Sequence, residues 1–164
     1  MSTKFIKQLS TENSIHNLIW FTLDHGLELK SFTHVPEYNV SSSTRKLYEV
    51  LSSFEDQRKS ELKSVAFDII QSGTMLESFK ELCQSATPTC SNGVVICLIY
   101  IGMTLAEEMM KQHKMSEIKQ IIFVLQMTVK NMCSNESFKV ISFSSLNFVV
   151  LLILTIYSLI NRFF

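Results

Sequence analysis

Val94-Val-Ile-Cys-Leu-Ile-Tyr-Ile-Gly-Met-Thr-Leu105 is the stretch that decides the fold. Coiled as a helix, these uncharged residues are apolar nearly all round, the signature of a helix enclosed by protein. Twelve residues rise only ~18 Å, short of the ~30 Å hydrocarbon core of a bilayer. The stretch therefore belongs at the centre of a bundle. The rest of the chain is suited to supply the surrounding helices. Its 164 residues include 4 glycines and 2 prolines, where an average chain of this length carries about 11 and 8. Hairpins and tight turns lean on glycine for positive φ. A chain this poor in both is all-α, and its length suits one domain.

Amphipathic helices flank the central stretch on both sides. Residues 12–29 place Ile15, Leu18, Ile19, Phe21, Leu23 and Leu27 on a broad apolar face, with Thr11 a weak start. Ser31 to Ser43 holds Pro36, Asn39 and a serine triplet, and reads as a loop. Ser43 or Thr44 is placed to cap the next helix. That helix carries Leu47, Val50, Leu51 and Phe54 inward, with Arg45, Lys46, Glu49, Glu55 and Asp56 on the opposite face. Leu62, Val65, Ala66 and Ile69 continue the period until Ser72-Gly73 breaks it. A further helix starts near Thr74 and presents Met75, Leu76, Phe79 and Leu82. Ala86-Thr-Pro-Thr89 is a loop before the central helix, which turns polar from Ala106 to Lys114. Ser116 opens the last amphipathic helix, with Ile118, Ile121, Ile122, Leu125 and Val129 on one side. Cys133 to Ser137 links it to the apolar end of the chain.

Charge divides the chain in two. Lys and Arg number 15, as do Asp and Glu, and Arg162 is the only charged residue after Lys139. The overall balance lacks the basic excess of a nucleic-acid binder, so no nucleic-acid partner is expected. Residues 140–161 are 22 uncharged residues, which as a helix span ~33 Å. Leu146, Phe148, Val149, Val150, Leu151, Leu152, Ile153, Leu154, Ile156, Leu159 and Ile160 form its apolar body, with Lys139 and Arg162 at the two interfaces. The division expected is a cytosolic helical bundle over 1–139 and a membrane anchor over 140–164, inserted tail-first after translation. The N-terminal run Leu18-Ile-Trp-Phe-Thr-Leu23 is too short for a signal-peptide core. A body left in the cytosol keeps Cys83, Cys90, Cys97 and Cys133 as free thiols. With 6, 6 and 35 residues between them, these cysteines match no ligand pair. His16, His25, His34 and His113 do not cluster with them, so no metal or other cofactor is expected. The sequons at Asn39 and Asn135 read as chance matches in a cytosolic body. No phosphate loop, nucleophile elbow or His–carboxylate motif is present, which argues against an enzyme.

Glu81-Leu82-Cys83 followed by Asn92-Gly93-Val94 and an apolar helix reaching Gly102 resembles the first homology motif of the Bcl-2 family. In that family a Glu-Leu-Phe, a short turn and Asn-Trp-Gly-Arg precede an apolar helix. A second glycine lies nine residues after the first, the spacing of Gly93 and Gly102. The resemblance by motif covers about 20 residues, while the order of elements, the central apolar helix and the terminal anchor extend it over the chain. So deep a divergence within an intact layout is similar to the viral members that modulate host cell death. Several positions depart from the pattern. Asn92 replaces the tryptophan and Val94 the arginine, the preceding turn is three residues longer, and the second homology motif is missing.

The resemblance implies a Bcl-2-like bundle and a binding function. A hydrophobic groove would accept the amphipathic death-motif helix of a pro-apoptotic relative through apolar anchors at i, i+3 or i+4 spacing. The expected lining is Leu51, Phe54, Leu62, Met75, Leu76, Phe79, Leu82, Asn92, Gly93, Val94, Cys97 and Ile101. The missing arginine normally pairs with the ligand's aspartate. Lys80 and Arg58 are the nearest bases, and both read as solvent-facing. Leu51-Ser-Ser-Phe54-Glu55-Asp56 partly matches a death motif of the chain's own, but Glu55 stands where a small residue is needed. That favours an inhibitor of apoptosis over a pro-apoptotic member. The anchor would hold it facing the cytosol, at the mitochondrial outer membrane or endoplasmic reticulum. The rival class is a tail-anchored pore-forming viral membrane protein using residues 94–110 as a second span. Pro88, Gly93 and the pair Glu107-Glu108 leave that segment short of apolar length.

Overall fold

Among the described residues the regular elements are all helical, which bears out the all-α reading. The computed structural model describes residues 13–25, 41–89 and 91–134. The helices are α1 (Ser14–His25), α2 (Ser42–Ser52), α3 (Asp56–Gln71), α4 (Met75–Ala86), α5 (Asn92–Lys111) and α6 (Met115–Ser134), with one 3-10 turn at Thr87–Thr89. The anchor residues from Leu146 to Ile160 lie outside the described residues, as do Thr11, Leu27, Pro36, Asn39, Cys90 and Asn135.

Helix α5 is the core element. Every residue from Asn92 to Met103 is buried, as are Leu105, Ala106 and Met109. Helices α1, α3 and α6 pack directly on it, α2 lies on α1, and α4 fills the space between α3 and α6. The two helices of the α5–α6 hairpin approach closely at Gly102. A Cβ built there would stand 2.5 Å from Leu125 Cδ1 and 3.3 Å from Phe79 Cζ. Buried hydroxyls inside the helices bond backward along their own backbone, Thr22 to Leu18 O and Thr128 to Val124 O, both at 2.8 Å. That local bond lets a polar side chain sit in a core without leaving its hydroxyl unsatisfied.

The central helix is longer than its apolar stretch. It runs 20 residues, about 30 Å, so residues 106–111 prolong it in polar form. It is therefore long and apolar enough to cross a bilayer by length and composition, although 78% of its most apolar window is buried in the fold. Its start lies before Val94 because Ser91 caps it, the Ser91 Oγ accepting from the Val94 N–H at 3.3 Å. Ser91 is itself buried, so no water replaces that bond. Ser91→Ala should lower the unfolding free energy by about 1–2 kcal/mol, read from the midpoint of urea unfolding. An unchanged midpoint would mean that the cap contributes nothing.

Two further boundaries differ from the sequence reading. Ser41 caps α2, its Oγ accepting from the Thr44 N–H at 3.1 Å. Ser43 and Thr44 are buried in the first turn instead. The Thr44 hydroxyl lies 3.0 Å from the Ser41 Oγ and donates to Ser14 O at 3.5 Å, tying the starts of α1 and α2 together. Helix α2 stops at Ser52, so Phe54 belongs to the turn before α3 and not to α2. There its ring stacks on Tyr100 of α5 at 5.7 Å.

Candidate functional site

Two turns at one end of the bundle build a cleft. Between α3 and α4 the break at Ser72-Gly73 occurs as expected, with Gly73 at φ 74°. The Ser72 hydroxyl donates to Ile69 O at 2.7 Å and accepts from the Thr74 N–H at 3.2 Å. Between α5 and α6 the chain reverses through His113 at φ 57°. The Lys114 N–H donates to Met109 O at 2.9 Å and the His113 N–H to Met110 O at 3.0 Å. This is a Schellman cap with histidine at the left-handed position usually held by glycine. The two turns face each other across a cleft of about 430 Å³. Ile70, Met75, Leu76 and Met109 supply its apolar lining, and Glu77, Gln112, Lys114 and Glu117 its polar side. Unbranched methionines reshape to fit an irregular apolar partner at little cost.

The twelve expected groove residues divide unevenly. Met75 and Leu76 line the cleft and are half-buried. Leu51, Phe54, Leu62, Phe79, Leu82, Val94, Cys97 and Ile101 join one continuous core. Asn92 and Gly93 are buried in the first turn of α5. The structure thus brings the set together from α2, the turn after it, α3, α4 and α5, but ten of its members are covered by the chain itself. Ile70 and Met109 lie outside the expected set. The sequence reading ends its period at Ile69 and places Met109 in the polar end of the central helix, and periodicity cannot show that the two turns leave a gap between them.

Arg58 corrects the sequence reading. It is half-buried, not solvent-facing, with its guanidinium 5.7 Å from the centre of the Phe54 ring. Phe54 and Tyr100 continue the stack beneath it. Burial pushes the Cys97 thiol up to about 12, and the nearby Arg58 charge opposes that shift. A cation therefore lies beside the face of α5 that carries Val94, Cys97 and Ile101. Lys80 is exposed, in agreement with its reading as solvent-facing. Burial likewise raises the Cys83 thiol to about 12, against a side-chain hydrogen bond with Thr128. Neither thiol is a nucleophile in this state. Among the described residues no three His, Cys, Asp or Glu side chains come together as metal ligands. No family model, curated protein or solved structure matches this chain.

Proposed function

We propose that this protein inhibits apoptosis by sequestering pro-apoptotic death-motif helices, with residues 140–161 anchoring it in an intracellular membrane. The observation that carries the reading is an apolar helix buried among amphipathic ones, with a cleft at the α3–α4 and α5–α6 turns that is apolar on one side. That architecture supports the Bcl-2-like resemblance of Glu81-Leu82-Cys83 and Asn92 to Gly102. Because most of the expected lining is packed, a ligand helix first meets Met75 and Leu76. It then draws α3 and α4 apart over α5. Apparent affinity then falls with the fraction of molecules open at any moment. In the absence of an arginine at Val94, Arg58, lying over Phe54 beside the Cys97 face of α5, would be the cation for a ligand aspartate.

The test is titration of the full chain, in membrane-mimicking micelles, with a panel of death-motif peptides. The parent is expected to bind at least one. Leu76→Glu should weaken that binding at least tenfold, since one buried anchor contributes ~1.5–3 kcal/mol and tenfold is ~1.4. Helical circular dichroism should not change, because Leu76 is half-exposed at the cleft edge. Gly93→Glu is a poorer test, because Gly93 is buried and a carboxylate there endangers the fold. A parent that binds no peptide overturns the reading.

The length of α5 and the mean hydropathy of 1.6 of its most apolar 18-residue window favour a second reading, a pore-forming protein in which α5 leaves the bundle to span the membrane. Topology separates the two. Labelling of a cysteine placed at Gln112 from the same side as the N-terminus supports the single span, and labelling from the far side supports the pore.

A further inference from the structure

Phe123 and Met127 stand one turn apart on the outward side of α6, 63% and 41% exposed. At 100° per residue, Met127, Lys119 and Lys130 all project within ~40° of Phe123. Both lysines are exposed. No carboxylate occupies an exposed position of α6, since Glu117 is half-buried at the cleft. The inward face is complete without these residues. Ile118, Ile121, Ile122, Leu125, Val129 and Met132 already fill it. An aromatic ring and a thioether between two ammonium groups form a strip that is exposed among the described residues. It is the pattern of a helix lying in a lipid interface, apolar groups down and lysines at the headgroups.

The sequence beyond α6 narrows the choice of what covers the strip. Only residues 135–139 separate Ser134 from the uncharged stretch starting at Val140. Six Cα steps reach at most ~22 Å. If 140–161 spans a bilayer, the end of α6 is tethered within that distance of the headgroups. A second copy apposed along the strip would set lysine against lysine. Residues 140–161 folded back would cover Phe123 but offer no charge to Lys119 and Lys130. An anionic lipid surface supplies both apolar depth and negative charge. We propose that the outward face of α6 rests on an anionic membrane surface, holding the bundle flat against the bilayer that the anchor enters. This rests on the reading of 140–161 as the anchor.

The experiment reconstitutes the full chain, as Phe123→Trp in a Trp20→Phe background, into phosphatidylcholine vesicles with and without phosphatidylserine. Flotation reports the anchor, and quenching by acyl-chain-brominated lipid reports the depth of position 123. The expected result is flotation with both vesicle types and loss of about half the emission with phosphatidylserine. Adding Lys119→Glu and Lys130→Glu should restore the emission while flotation persists. Flotation without quenching overturns the proposal and leaves the anchor standing. Failure to float overturns the anchor, and the proposal falls with it. A blue-shifted, unquenched emission that depends on residues 140–164 means that the tail covers the strip, and one that depends on protein concentration means a second copy. Either result overturns the proposal.

Discussion

Gly102→Val should unfold at clearly lower denaturant than the parent, with a loss of about 3 kcal/mol at the upper end of overpacking costs. The cause is the close approach of α5 and α6. A Cβ at 102 would lie 2.5 Å from Leu125 Cδ1, 3.2 Å from its Cγ and 3.3 Å from Phe79 Cζ. Leu125 and Phe79 are both fully buried, so neither moves without disturbing further neighbours. Gly102→Ala sets the scale. Alanine gains ~1 kcal/mol of helix propensity over glycine, and the nearest obstacle is the end of a leucine side chain. It meets the same Cβ contacts, so it should still lose about 1–2 kcal/mol, less than the valine variant with its two added γ-methyls. Equal midpoints for the valine variant and the parent would mean that the helices are not in contact at this position. Since a domain holds ~5–15 kcal/mol in all, the loss would also raise the fraction of open molecules, and with it exposure of the core.

Removing residues 140–164 is expected to move the protein from the membrane pellet to the soluble fraction, with helical circular dichroism retained. The full chain should resist extraction by alkaline carbonate, as an inserted helix does and a peripheral one does not. The argument is the segregation of charge. All but one of the charged residues precede residue 140, and the described helices α1 to α6 share one buried apolar cluster. Contact through α6 alone should be removed by a high-salt wash, because lysine attraction to headgroups is screened. A shortened chain that stays with membranes in high salt sinks the anchor reading. One that aggregates with little helical signal sinks the boundary at 139.

The central helix was legible because composition alone isolates it. Val94 to Leu105 has no polar face, and burial on all sides is the only soluble arrangement such a helix permits. Helix ends were less legible. Ser41, Ser42 and Ser43 are equivalent as letters, and only backbone geometry selects Ser41 as the cap. Phe54 keeps the spacing of α2, yet the chain leaves helical register after Ser52 and the ring turns onto Tyr100. Arg58 sits among Gln57, Lys59 and Glu61, so a polar face was the natural inference. The ring that shelters it comes from the preceding turn, which helical periodicity does not see. The proposed groove residues were hardest. Periodicity identifies which side of a helix is apolar, but a groove and a core share that pattern until the neighbours are placed. Met75 and Leu76 differ from Phe79 and Leu82 only in lying where two turns diverge.

Cys97 and Cys83 give the molecule an internal clock. Their thiols are covered by protein and hold pKa values near 12, so an alkylating reagent at neutral pH reacts only during moments of opening. With reagent in excess and closing fast, the labelling rate at each site reports an opening equilibrium. Cys97 lies beneath α3 and Cys83 on α4 toward α6, and the two report different motions. Mapping the modified residues by mass would distinguish separation of α3 from α5 from loss of the whole fold. The first of these motions is the one the proposed ligand helix would exploit, so its population can be measured with no partner in hand.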